Sequence, residues 1–111
     1  VKDMIVTGGE NVYSAEVENA ISSHPGVSQV AVIGIPSDQW GEAVLAIVVP
    51  QAGTTVTEDD IKSWCRERIA GFKVPKKVDF RDEPLPLSGA MKVLKRDLRA
   101  PYWEGNERGV Q

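Results

Sequence analysis

The sequence predicts an α+β domain, a small, mostly antiparallel three-stranded sheet with packed helices plus an N-terminal β-hairpin. Three observations carry that reading. The apolar runs from Val27 to Ile35 and from Ala43 to Val49 are continuous, of strand length and closed by turn residues, the pattern of neighbouring strands at the centre of a sheet. The stretches after Ser14 and after Thr57 carry apolar residues at helical spacing behind helix-start residues. Glycine and proline then punctuate the chain at Gly8-Gly9, Pro25-Gly26, Pro36, Pro50, Gly71 and Pro84 to Pro86, so no element is long.

Taken in order, Met4-Ile5-Val6-Thr7 is a short strand, Gly8-Gly9-Glu10-Asn11 a tight turn and Val12-Tyr13 the return strand. Ser14 is the expected N-cap of the first helix, with Glu16 and Glu18 near its positive end. Val17, Ala20, Ile21 and His24 make one stripe, and Pro25-Gly26 stops the helix. After the two central strands, Thr57 caps a second helix whose first turn holds Glu58, Asp59 and Asp60. Ile61, Trp64, Cys65, Arg68 and Ile69 mark its inner face, with Arg68 at the margin, and Gly71 ends it. A basic loop, Phe72-Lys73-Val74-Pro75-Lys76-Lys77, leads to a third strand, Val78-Asp79-Phe80. The last helix has Leu94 and Leu98 on one face and ends before Pro101, which leaves residues 101–111 as a loose tail.

With 111 residues, 41% of them hydrophobic and 26% charged, the chain fits one domain with one modest core. A net charge of -3 gives no footprint for nucleic acid or an anionic membrane surface. No apolar run reaches bilayer length, and the start has no basic region followed by an apolar one. The single cysteine, Cys65, excludes an internal disulfide and suits a reducing, cytoplasmic compartment; on a core-facing helix position it reads as a buried structural thiol rather than a nucleophile. His24 reads as a partly exposed helix-end residue, and with no Cys/His cluster the expected metal ligands are none. The chain opens on Val1 and enters a strand almost at once, which reads as a piece of something longer.

The stretch richest in chemistry is Pro84-Leu85-Pro86-Leu87-Ser88-Gly89-Ala90-Met91-Lys92-Val93-Leu94-Lys95-Arg96. Its prolines and Ser-Gly pair make an irregular loop that presents one ammonium, Lys92, just before a helix. An ordered loop with a lone ammonium brings positive charge to an anionic reaction centre; the ordinary alternative is a solvated lysine at a helix start. Gly8-Gly9 invites a phosphate-loop reading, but neither G-x-G-x-x-G nor a lysine-bearing phosphate loop is present. Trp40, at a loop tip, either caps the core or stacks on a ligand base.

Three separated segments resemble one family, in the right order. Residues 1–18, with Thr7-Gly8-Gly9-Glu10-Asn11 at their centre, resemble the hinge and glycine-loop motif of the adenylate-forming enzymes, the superfamily of acyl- and aryl-CoA synthetases, luciferases and peptide-synthetase adenylation domains. Val32-Ile33-Gly34-Ile35-Pro36-Ser37-Asp38-Gln39-Trp40-Gly41-Glu42 is similar to the acyl-CoA synthetase form of the next segment. Phe72-Lys73-Val74-Pro75-Lys76 and the run from Pro86 to Lys92 complete the set, so the resemblance extends to about Arg99.

The resemblance implies a single C-terminal, mobile domain of a two-domain ligase, here residues 1–111, with the large N-terminal domain that holds most of the ATP, Mg²⁺ and acid site missing. It implies ATP-dependent acyl-CoA synthetase chemistry: a carboxylate attacks ATP to give acyl-adenylate and pyrophosphate, and the thiol of coenzyme A then displaces AMP. The partners implied are its own N-terminal domain, a small-molecule carboxylic acid, ATP and CoA, with no nucleic acid and no transmembrane segment; any peripheral membrane contact would come through the missing domain. Lys92 takes the place of the adenylation lysine, Lys2 that of the hinge, and Gly8, Gly9 and Glu10 that of the loop lining the pantetheine channel. Trp40, Phe72, Lys73, Lys76 and Lys77 are candidates for the CoA nucleotide, by aromatic stacking and phosphate pairing. The family pattern, Pro-Lys-Thr, any residue, Ser-Gly-Lys, here keeps Pro86 and Lys92 at the same spacing, with Leu87-Ser88 and Ala90-Met91 in between. The isolated fragment is expected to be inactive. The alternatives are an adenylating domain loading a carrier-protein thiol and a non-catalytic interaction module of the same fold; the Lys92 spacing speaks against the second.

Overall fold

The computed structural model describes residues 3–90 and 92–105. Its elements are β1 (Met4–Thr7), β2 (Glu10–Tyr13), α1 (Ser14–Ser22), β3 (Val27–Ser37), β4 (Gly41–Pro50), α2 (Glu58–Arg66), a 3-10 turn (Gly71–Lys73), β5 (Lys77–Phe80) and α3 (Lys95–Trp103). The expected α+β architecture is present. β3 and β4 form a long antiparallel pair in which Val32 faces Ala46 and Ile33 faces Leu45. β5 adds in parallel to the other edge of β4. The hairpin β1–β2 joins that same edge through Thr7 opposite Gly41, so the hairpin and the three core strands make one five-stranded sheet.

The continuous apolar runs of β3 and β4 have a direct cause: both faces of the sheet are covered. Successive side chains on a strand point to opposite faces. Val32, Val44, Ala46 and Val48 meet Val17 and Ile21 of α1 and Ile61 and Cys65 of α2 on one face. Ala31, Ile33, Leu45, Ile47 and Val49 meet Leu85 and Leu98 on the other, under α3. Each fully buried Val, Leu or Ile contributes about 1.5–3 kcal/mol of transfer free energy. Cys65 is buried, and desolvation pushes its thiol above the ordinary value, as suits a structural residue.

Three glutamates satisfy backbone N–H groups that the ladders leave open. Glu18 of α1 accepts from Val32 at 2.9 Å, Glu42 of β4 from Val6 at 2.8 Å and Glu58 of α2 from Val78 at 2.9 Å. They tie helix to strand and hairpin to sheet, and two of them, at Val32 and Val78, pair donors that are partly buried. Thr57 caps α2 as expected, and Asp60 completes a capping box with it. The Thr57 N–H holds the Asp60 carboxyl below its usual range.

Several boundaries differ from the sequence expectation. Glu10 already belongs to β2, so the turn is the two residues Gly8 and Gly9, both at positive φ. Ser14 is the first helical residue rather than the cap; its hydroxyl accepts from the Lys95 ammonium at 3.0 Å. α2 stops at Arg66, and Arg68 instead folds back with its guanidinium over the Trp64 ring. The largest correction concerns the C-terminus. Residues 101–103 are not a loose tail: α3 runs through Pro101 to Trp103. Burial overrides the helix-breaking proline. Trp103 is buried and its indole N–H donates to the Gly34 carbonyl at 2.9 Å, while the Tyr102 hydroxyl donates to Asp79. Burial, reinforced by the Asp79 carboxylate, pushes the Tyr102 phenol up to about 12. Residues 106–111 of the expected tail lie outside the described residues. Trp103→Phe keeps most of the apolar contact and removes the Gly34 bond, so it is expected to cost about 1–2 kcal/mol in a chemical denaturation series; no change in midpoint would place Trp103 outside the core.

Candidate functional site

Lys92 sits on a stapled hairpin between the core and α3. Leu87 and Val93 form an isolated antiparallel bridge. The Ser88 N–H donates to the Lys92 carbonyl at 2.7 Å, and the Leu94 N–H to the Pro86 carbonyl at 2.9 Å. The Ser88 hydroxyl accepts from the N–H groups of Ala90 at 3.2 Å and Lys92 at 3.3 Å. On the entering side Leu85 is buried and its N–H donates to Gln29 Oε1 at 2.9 Å; on the leaving side Val93 packs into the core under α3. Lys92 is therefore exposed on a loop fixed at both ends. Among the described residues its ammonium has no hydrogen bond or ion pair, and it lines an open groove of about 500 Å³ with Asp3, Val30, Lys95, Arg96 and Arg99.

The Gly8-Gly9 turn lies at the other end of β1. Its geometry is dictated by contact as well as by φ. Gly8 has φ of 59° and its N–H donates to the Trp40 carbonyl at 2.8 Å. A Cβ on Gly8 would come 2.8 Å from the Trp40 ring. The Lys76 ammonium lies 5.1 Å from the centre of the same ring. The fold thus brings Gly8, Trp40 and Lys76 together at a tryptophan that stays 39% exposed. Glu10, the first residue of β2, is exposed beside them.

The other basic candidates are dispersed. Lys73 is paired with Glu16 of α1 at 2.8 Å, and its ammonium lies 5.6 Å from the centre of the exposed Phe72 ring. Lys77 stands 3.7 Å from Asp79 on its own strand. Lys2 lies outside the described residues. Asp3, at the start of β1, lines the Lys92 groove, and Gly8 follows the end of β1, so the two candidate sites are separated by a four-residue strand, about 13 Å of rise.

Lys95, Asp3 and Glu42 carry no local sequence signal of the partners that the fold gives them. Lys95 and Asp3 pair across the molecule at 3.0 Å, and Glu42 reaches back to β1. Charged residues at a helix start or a strand edge look like solvated surface until the tertiary partner is known. No helix among the described residues is long and apolar enough to cross a membrane. No group of three His, Cys, Asp or Glu side chains among them could hold a metal ion.

Comparison with known proteins places the chain in a family. Residues 16–92 match the family model described as the AMP-binding enzyme C-terminal domain. The chain is 50% identical over 102 residues to a feruloyl-CoA synthase of an Amycolatopsis species, covering 92% of this chain and 21% of that protein. It is also 50% identical over 102 residues to a long-chain-fatty-acid–CoA ligase of Mycobacterium tuberculosis, covering 92% and 20%. The crystal structure of apo MatB from Rhodopseudomonas palustris superimposes with a TM-score of 0.85 at 44% identity, over 91% of this chain and 20% of that one. The chain spans about a fifth of the length of these relatives. It belongs to the AMP-binding enzyme C-terminal domain family, the C-terminal domain of the adenylate-forming enzymes.

Proposed function

We propose that this chain is the mobile C-terminal domain of an ATP-dependent acyl-CoA synthetase acting on an apolar carboxylic acid, with Lys92 serving acyl-adenylate formation and the Gly8-Gly9 loop, with Glu10, lining the channel for the pantetheine thiol. The observation that carries it is Lys92 itself: an unpaired, exposed ammonium on a loop tied down at both ends. A carboxylate oxygen attacking the α-phosphorus of ATP meets like-charge repulsion, and charge grows on the phosphoryl oxygens as the bond to pyrophosphate breaks. A pre-positioned ammonium offsets both without reorganising during the reaction. In the second step the thiol sulfur bonds to the acyl carbon, AMP leaves with the carbon–oxygen pair, and the thiol proton passes to solvent. Glycines suit that site because a backbone without side chains can border a narrow tunnel. Trp40 with Lys76 is the favoured CoA-nucleotide contact, since the fold already brings an ammonium to 5.1 Å from the centre of a part-exposed indole. Phe72, Lys73 and Lys77 are weaker candidates, because each lysine already has a carboxylate partner.

Lys2 is assigned the hinge, and the placement of Lys92 and Gly8 at opposite ends of β1 supports alternation: one swing presents one end to the reacting centre, the next swing the other. ATP, its Mg²⁺ and the acyl pocket are assigned to the N-terminal domain. The test is acid-dependent pyrophosphate release, measured on this fragment and on the full-length protein that contains it. Release is expected only from the full-length protein, in a compartment assigned as cytoplasmic; turnover by the fragment alone overturns the assignment.

A further inference from the structure

Lys95, the first residue of α3, points inward rather than to solvent. Its side chain is 15% exposed, and Nζ lies 2.6 Å from Glu18 Oε2, 3.0 Å from Asp3 Oδ2 and 3.0 Å from Ser14 Oγ. An ammonium has three N–H donors and no acceptor, so three oxygens use all of its capacity. Those oxygens belong to two parts of the fold: Asp3, just before β1, and α1, which supplies Ser14 and Glu18 one turn apart. These residues have further ties. The Asp3 carbonyl accepts the Ser14 N–H at 3.1 Å, and the Glu18 oxygen also accepts the Val32 N–H at 2.9 Å, which anchors the cluster to β3.

Lys95 lies three residues beyond Lys92, at the foot of the hairpin that carries it. The Lys95 N–H donates to the Val93 carbonyl at 3.1 Å, and Val93 is half of the bridge that closes the hairpin. We infer that Lys95 is a positioning residue for Lys92: its ammonium clamps the foot of the hairpin to α1 and Asp3, and so fixes where the Lys92 charge stands. This role presupposes the function proposed above. Lys95 does not itself reach substrate, since its donors are spent within the domain. Nor does it hold the glycine turn, which is fastened through Trp40 and Glu42 at the far end of β1. Loss of Lys95 therefore acts on one half-reaction. Displacing a catalytic charge by about 1 Å costs on the order of 100-fold.

The experiment uses the full-length protein and measures the two half-reactions separately: acid-dependent acyl-adenylate formation from ATP, and thioester formation from pre-made acyl-adenylate and coenzyme A. Lys95→Met is expected to lower the first about 100-fold and to leave the second within about threefold of the wild type. Asp3→Asn, an isosteric change at a side chain 44% exposed, is expected to lower the first about tenfold, since it weakens one of the three contacts and leaves the others. The double variant is expected to fall no further than Lys95→Met, because both act through one contact. If Lys95→Met does not fold, Asp3→Asn decides alone. Equal losses in both half-reactions, or no loss in adenylation, overturn the positioning role. Lys92→Ala run in parallel separates the two levels: if it leaves adenylation intact, the proposed function falls and takes this role with it. If it abolishes adenylation while Lys95→Met and Asp3→Asn do not touch it, only the role of Lys95 is lost.

Discussion

Lys92→Ala in the full-length protein is expected to lower acyl-adenylate formation roughly 100- to 1,000-fold, while thioester formation from pre-made acyl-adenylate stays close to the wild-type rate. The size follows from where the charge acts. An exposed ammonium in water is worth little, but once the domain closes against the reacting groups the same ammonium faces phosphoryl oxygens with water excluded, where a fixed positive charge has far greater effect. The selectivity follows from the second step, in which no pyrophosphate is being released and the developing negative charge is smaller. Stability is expected to be unaffected, since the Lys92 ammonium makes no hydrogen bond or ion pair among the described residues and the hairpin is held by backbone and Ser88 bonds. The measurement is single-turnover kinetics of each half-reaction beside a thermal melt. A variant whose two half-reactions fall together would point to damage rather than to a lost transition-state partner.

Gly8→Ala is the mirror case. The φ of 59° at Gly8 costs a residue with a Cβ about 1–2 kcal/mol. The new methyl would also lie 2.8 Å from the Trp40 ring, and the indole must shift to make room. That shift moves the turn and Trp40 together, and with them the Lys76 ammonium that rests over the ring. Thioester formation is expected to fall on the order of 100-fold, as for a site displaced by about 1 Å, with adenylation nearly unchanged. Gly9→Ala makes a useful companion: its Cβ would meet nothing within 4 Å, so it carries the φ cost without the Trp40 clash and should fall less. Equal losses for the two variants would show that backbone strain, not the Trp40 contact, controls the turn.

Much of the fold was legible in the sequence because its strongest signals are local. The apolar runs of β3 and β4, the Thr57 cap and the Gly8-Gly9 turn each declare themselves within a few residues. What escaped depends on contacts far apart in sequence. Pro101 looked like a stop, and only the reach of Trp103 to Gly34 and of Tyr102 to Asp79 shows why α3 continues. Ser14 looked like a cap, and only Lys95, far along the chain, redirects its hydroxyl. The candidate site divides the same way. Lys92 and the glycine pair could be named from motif spacing, and the grouping of Gly8, Trp40 and Lys76 emerges from the fold. Among the five nucleotide candidates, Lys73 and Lys77 are occupied by Glu16 and Asp79, which no local pattern reveals.

On the proposed function, one small domain serves two half-reactions from opposite ends of β1. The most direct test of this claim is the ratio of the adenylation rate to the thioester rate, measured in the full-length wild type, Lys92→Ala and Gly8→Ala. The ratio is predicted to fall by about two orders of magnitude or more in Lys92→Ala and to rise by about two in Gly8→Ala. A ratio that stays at the wild-type value in both variants would contradict the claim.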